Sequence, residues 1–201
     1  MKKLVIASNN PGKLREFQFL LQPCSIEVLT QGALGIADAE EPHPTFVENA
    51  LAKARHVSHL SGLPALADDS GICVDALNGA PGVLSARYAE SNFGNNLKSD
   101  QRNNEKLLQD MRGVEDRRAH YYCVLVLLRH ANDPQPLIAE GEWHGEIALQ
   151  PAGEGGFGYD PLFWLPELNQ TSAQLGREQK HAISHRGKAM RVFLDRLKSP
   201  Q

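Results

Sequence analysis

The sequence predicts an α/β fold built on a mixed central sheet flanked by helices. Two observations carry this. A short apolar run, a turn and a segment of helical period follow one another near the N-terminus, which is the order of a βα unit; the middle of the chain then turns to β-rich runs with no helix between them. With 201 residues, 41% apolar and 22% charged, the chain has the size and composition of one globular domain with its own core. No repeat, low-complexity tract or linker marks a boundary, so a single domain over 1–201 is expected, and two lobes of that domain are compatible with it.

Each element follows from local pattern. Lys3 to Ala7 is a short buried strand, and Asn-Pro-Gly breaks the chain before Leu14, Phe17 and Leu21 recur at helical spacing. From Thr45, the residues Phe46, Val47, Ala50, Leu51, Ala54, Val57 and Leu60 line one helical stripe with Pro44 at its entrance; Glu48, Asn49 and Lys53 fall off its centre. Leu63 to Val74 is apolar at both ends and reads as strand segments flanking the polar Asp68-Asp69-Ser70-Gly71. Asn103 to Met111 is helical, Ala119 to Arg129 is β-rich, and Leu137 to Trp143 is a further strand before a hairpin-like turn near His144 and Gly145 that leads to Ile147. The glycine-rich stretch 153–158 must be loop, and Met190, Phe193, Leu194 and Leu197 mark a closing amphipathic helix.

Composition removes several classes of function. A formal charge of -3 supplies no general positive field, so a protein that tracks nucleic acid backbones is disfavoured and any bound phosphate must meet a local basic site. The run Leu4 to Ala7 is far too short for a signal-peptide core and nothing later approaches the roughly 20 apolar residues that span a bilayer, so a cytosolic protein is expected. Cys24, Cys73 and Cys123 lie far apart without a CxxC pair, which argues for small buried residues and against disulfides or a structural zinc site. The histidines show no HExxH spacing, and no GxSxG elbow is present.

Four segments carry chemistry. Ser8-Asn9-Asn10-Pro11-Gly12-Lys13 sits between the first strand and the first helix, where backbone N–H groups, the helix N-terminus and Lys13 can face an anion. Glu40, Glu41 and the pair Asp68-Asp69 are sparse acids of the kind that suit magnesium, which takes one or two carboxylates and fills its shell with water and phosphate oxygens. Glu40 and Glu41 alone could be exposed loop charges, whereas two adjacent aspartates inside an apolar strand region demand cations or strong donors. Gly153 to Pro161 lets a backbone approach a flat ligand, with Phe157 as stacking face and Asp160 as acceptor, and Ser184-His185-Arg186-Gly187-Lys188, with Lys180 just upstream, groups donors at the last helix's start. Any one could be an ordinary turn or helix start; together they are the inventory for a magnesium-bound nucleotide.

Six ordered blocks make the chain resemble the inosine triphosphate pyrophosphatases of bacterial type, also described as dITP/XTP pyrophosphatases: Ser8 to Lys13, Thr45 to Ala50, Ala67 to Gly71, Gly79 to Tyr88, Gly156 to Pro161 and Ser184 to Lys188. The resemblance implies that Ser8, Asn9, Asn10, Pro11, Gly12 and Lys13 hold a triphosphate, that Glu40 or Glu41 together with Asp69 holds Mg2+, and that Asp69 doubles as catalytic base. It implies that Ser70 touches the substrate, that Phe157, Gly158, Tyr159 and Asp160 line the base and sugar pocket, that Lys180 reaches the nucleotide, and that His185 and Arg186 recognise the oxygen-bearing purine edge. With these come an elongated fold of two lobes around a nucleotide-binding cleft, a homodimer, and hydrolysis of ITP, dITP, XTP or dXTP to the monophosphate and pyrophosphate, which clears deaminated purines from the nucleotide pool. The chain departs from the pattern at Gln179, where an acid is expected, and Pro42 and Pro44 stiffen the stretch after Glu41, so both glutamates remain metal candidates.

The competing readings are a pyrophosphatase for pyrimidine or modified nucleotides and a non-catalytic nucleotide sensor or RNA-binding module. Asp68-Asp69 beside a phosphate loop favours metal-assisted hydrolysis over the latter.

Overall fold

In the computed structural model, which describes residues 2–22, 26–89 and 99–198, the chain opens with β1 (Lys3–Ile6), whose Leu4, Val5 and Ile6 are buried. The turn that follows ends at Asn10, whose side chain caps α1 (Pro11–Leu21), with Pro11 at the first helical position where a missing N–H costs nothing. Thr45 caps α2 (Phe46–Ser61), which stops at Gly62 in the left-handed conformation that glycine adopts freely. Between the two helices lies β2 (Glu27–Thr30), a half-exposed strand without the buried apolar run that marks β1 in the sequence. Both β2 and β3 (Ala65–Val74) pair with β1 in parallel.

The polar residues at 68–71 do not interrupt β3, contrary to the expectation of two segments around them; it is one strand of 10 residues. Its carboxylates are matched by cations, as described below, so the ladder can continue. After α3 (Ser99–Asp110) come β4 (Arg118–Leu128) and β5 (Leu137–Ile147). The turn expected at His144 and Gly145 is strand as well. Gly145 marks a close approach instead: a Cβ there would lie 2.5 Å from the carbonyl oxygen of Trp164 in the neighbouring strand. The sequence pattern missed β6 (Phe163–Leu165), β7 (Gln170–Thr171) and α4 (Arg177–Ile183), all short, and α5 (His185–Lys198) closes the chain as expected. The sheet is mixed, in the order β2-β1-β3-β4-β5-β6-β7, with β5–β6 and β6–β7 antiparallel.

The chain divides into two compact units, one of Met1–Asp69, Cys123–Gly141 and His185–Gln201, the other of Ser70–Tyr122 and Glu142–Ser184. In the first, Leu4, Ile6, Leu66, Cys123, Leu125 and Leu127 face Phe17 and Leu21 of α1 and Ala189, Met190 and Phe193 of α5. Alternate strand residues point the other way, so α2 packs its Ala50, Ala54 and Val57 on the opposite face. In the second unit Ile72, Val74, Leu107, Met111, Tyr121, Trp143 and Phe163 form the core, the Tyr121 and Phe163 rings meeting edge-on at 4.7 Å. Burial raises the Cys123 thiol to about 12 and the half-buried Cys73 thiol to about 11, so neither is a thiolate at neutral pH; Cys24 lies outside the described residues. No helix among the described residues is long and apolar enough to cross a membrane.

Candidate active site

Asp68 and Asp69 are consecutive on β3 and therefore face opposite sides of the sheet. On one side Asp68 meets Lys13 of α1 at 3.1 Å and Arg186 of α5 at 3.0 Å, and Arg186 also pairs with Glu16. The Arg186 side chain is 2% exposed, so this ionic chain is dry. On the other side Lys53 of α2 places its ammonium 2.9 Å from Asp69 and 2.6 Å from Glu41.

These surroundings drive the two aspartates apart. Burial would raise Asp68, but Lys13, Arg186 and Lys53 outweigh it and hold its carboxyl well below the usual range. Asp69 is raised, because burial and the neighbouring Glu41 charge outweigh Lys53 and Lys13. Lys53 is raised too: burial alone would lower it, yet Asp69, Asp68 and Glu41 keep it an ammonium. Adjacent carboxylates with divergent proton affinities are the arrangement that separates a fixed anion from a proton-accepting group. Asp69 Oδ2 is buried with no hydrogen-bond partner among the described residues.

The first loop serves this cluster differently from expectation. The N–H groups of Gly12 and Lys13 donate to Asn10 Oδ1 at 2.9 and 3.1 Å, so the cap satisfies them. Ser8 accepts from the Asn10 N–H at 3.2 Å, and Asn9 donates to Asp38 at 3.0 Å. What the loop brings to the acids is the Lys13 charge. Of the two glutamates, Glu41 shares the Lys53 ammonium with Asp69, and Glu40 is exposed.

The second unit holds the other cluster. Asp160 pairs with Lys180 and accepts from the Ser172 hydroxyl and the Phe157 N–H, both at 2.8 Å. The Lys180 ammonium lies 5.2 Å from the Phe157 ring centroid, a cation–π distance. A Cβ on Gly156 would collide with the Asp160 carboxylate, which fixes glycine at that point. Tyr159 is 3% exposed and donates its hydroxyl to the Ser85 carbonyl, so its side chain belongs to the core and only its backbone faces the loop. Lys180 pairs with Asp160 of the second unit, and Arg186 with Asp68 and Glu16 of the first. Ser70 is half-buried, directly after Asp69 on β3.

The Ham1 family model matches residues 4–196. The chain belongs to the Ham1 family. Among Ham1 relatives, it is 60% identical over 198 residues to a dITP/XTP pyrophosphatase of Ralstonia nicotianae, covering 98% of each chain. It is 63% identical over 190 residues to one of Nitrosomonas europaea, covering 94% of this chain and 91% of the relative. Its fold matches a Ham1 protein of Coxiella burnetii with a TM-score of 0.89 at 44% identity, covering 99% of this chain and all of that one, and the Staphylococcus aureus Ham1 protein with a TM-score of 0.84 at 42% identity, covering 98% of each.

In this Ham1 chain the sequence reading missed two members of the cluster. Lys53 is placed only off the centre of an apolar stripe, and Glu16 draws no reading at all. A signal existed for Lys53, since a carboxylate pair inside a buried strand requires cations from whichever helices cover it.

Proposed function

We propose that this chain hydrolyses non-standard purine nucleoside triphosphates, dITP and XTP with ITP and dXTP, to the monophosphate and pyrophosphate. The observation that carries the reading is the divergence of Asp68 and Asp69, one locked by Lys13 and Arg186, the other gathered with Glu41 around one cationic position. Relatives at 60% and 63% identity bear the name of that activity.

A divalent cation, Mg2+, fits these residues. Asp69 keeps one buried oxygen without a partner among the described residues, and Glu41 lies against the same ammonium, so two carboxylates converge where one positive charge already sits. Asp69 and Glu41 would hold the ion, and when bound it would neutralise charge on the phosphates and favour ionisation of water. Asp69 orients the attacking water and accepts its proton as the water oxygen bonds the α-phosphorus and the bond to the pyrophosphate oxygen breaks. Lys13 and Lys53 offset the charge that gathers on the leaving oxygens, and Asp68 keeps Lys13 in place. Ser8, Asn9, Asn10, Pro11 and Gly12 complete the triphosphate loop, and Ser70, Phe157, Gly158, Asp160, Lys180 and His185 serve the nucleoside, while Arg186 acts through Asp68 and Glu16 and Tyr159 contributes its backbone. A homodimer acting in the cytoplasm completes the reading.

Pyrophosphate release from ITP, XTP and the four common triphosphates, with and without magnesium, tests it. The expected result is release from ITP and XTP with ATP poorer by a factor on the order of 10⁴, since a site that hydrogen-bonds a 6-oxo group rejects an amino group. Orthophosphate as product, or equal use of ATP, would defeat it.

A further inference from the structure

The loop that carries Phe157 and Asp160 is held from within by bonds between these two residues and from outside by α3. Gly158 adopts a left-handed φ of +63°, and both of its backbone polar groups are taken by one face of α3. Its N–H donates to Asp100 Oδ2 at 2.8 Å, and its carbonyl accepts from Asn104 Nδ2 at 2.9 Å. Residues four apart on a helix stand one above the other, so Asp100 and Asn104 bracket a single glycine. The peptide between Phe157 and Gly158 is thereby gripped at both ends, because the Phe157 carbonyl accepts from the Asp160 N–H at 3.3 Å while the Gly158 N–H is held by Asp100. Asn104 keeps this contact although its own Oδ1 is buried with no partner among the described residues, an arrangement that burial alone would select against.

The adjacent Asn103 extends the grip. It donates to the carbonyls of Ser85 and Ala86 and accepts from the Ala89 N–H, while the Ser85 carbonyl also receives the Tyr159 hydroxyl. The Ser85 hydroxyl in turn holds the N–H of Ile72, three residues beyond Asp69 on β3. One run of α3 thus ties the glycine loop to the segment 82–87.

We propose that Asp100 and Asn104 are positioning residues for base recognition: by clamping the Gly158 peptide they set the attitude of the Phe157 ring and the Asp160 carboxylate toward a flat, oxo-bearing purine. This rests on the functional reading above, in which Phe157 and Asp160 meet the base. Neither clamp residue touches the substrate. Their loss therefore weakens nucleotide binding and base discrimination and leaves the chemistry at Asp69 in place.

The test uses Asp100→Ala, Asp100→Asn and Asn104→Leu in the full chain, with steady-state kinetics on ITP and ATP at fixed magnesium, thermal midpoints, and hydrogen exchange at the Gly158 amide. In Asp100→Ala and Asn104→Leu, KM for ITP should rise about tenfold with kcat changed less than about twofold, as loss of a hydrogen bond at a binding loop predicts. The preference for ITP over ATP in kcat/KM should fall with it. Asp100→Ala should speed Gly158 exchange about tenfold or more, whereas Asp100→Asn, which keeps an acceptor oxygen, should restore both KM and protection. Unaltered KM and preference in both Asp100→Ala and Asn104→Leu would overturn the positioning role, as would a loss of kcat in step with a lowered thermal midpoint at constant KM. A wild-type protein releasing no pyrophosphate from ITP or XTP would instead sink the functional reading, and the exchange measurement would still report whether the clamp exists.

Discussion

The two units bury charge in different ways. In the first, four cationic and anionic partners share Asp68 and Asp69: Lys13 and Arg186 on one face of β3, Lys53 and Glu41 on the other. In the second, Asp160 has one lysine and otherwise neutral donors, a hydroxyl and a backbone N–H. The first arrangement is built around charge and can rearrange when polyphosphate or a metal ion arrives, since an ammonium can move from carboxylate to phosphate. The second is built around shape, with glycine conformation and fixed hydrogen bonds holding a ring and an acceptor in place. In the proposed reading, the first serves the chemistry and the second the discrimination between bases.

This contrast can be broken by substitution. The largest effect is expected on turnover: Asp69→Asn should lower kcat by roughly 10³-fold or more while circular dichroism and the thermal midpoint remain near wild type, because the group that accepts the proton is lost and its volume is kept. Near-normal kcat in that variant would remove the distinction between the two aspartates. Next comes stability. Arg186→Met leaves Glu16 and Asp68 buried without their shared cation and should cost about 3–5 kcal/mol in denaturant unfolding, whereas Lys180→Met, which leaves Asp160 its neutral donors, should cost only about 2 kcal/mol. Equal losses would mean that the two clusters are held alike.

The smallest effect supplies a baseline away from both clusters. Asp133, in the turn between β4 and β5, is held well below the usual carboxylate range, first by the Arg129 side-chain hydrogen bonds and then by the N–H groups of Arg129 and Gln135, against burial. Its folded carboxyl binds a proton less readily than the unfolded one. It therefore contributes stability above about pH 4 that is lost as the pH falls further. Asp133→Asn should cost about 1 kcal/mol at neutral pH, since Arg129 is half-exposed and screened, and should flatten the acid limb of a stability–pH curve. An unchanged acid limb would show that the turn does not stabilise its carboxylate.

What could be read in the sequence was local. The loop Ser8 to Lys13, the aspartate pair and the glycine loop each announce themselves within a few residues, as do β1, α1, α2, β4 and α5 through apolar period and capping. What was hidden depends on partners far along the chain. Lys53 matters because Asp69 lies 16 residues on, Glu16 because of Arg186 170 residues on, and Asp100 because Gly158 lies 58 residues on. The polar stretch of β3 and the glycine in β5 looked like breaks for the same reason: their justification is a cation on a neighbouring helix and a carbonyl on a neighbouring strand. Strands β6 and β7 are too short to show a period at all, and β2, as long as β1, is half-exposed and lacks the buried apolar run that marks β1.

The most direct test of the division of labour between Asp68 and Asp69 is hydrolysis of ITP in water enriched in ¹⁸O, with the products separated and weighed by mass spectrometry. The expected result is one labelled oxygen in the nucleoside monophosphate and none in pyrophosphate, with no labelled product from Asp69→Asn. Label in pyrophosphate or orthophosphate would place the attack on another phosphorus and contradict a water held by Asp69 at the α position.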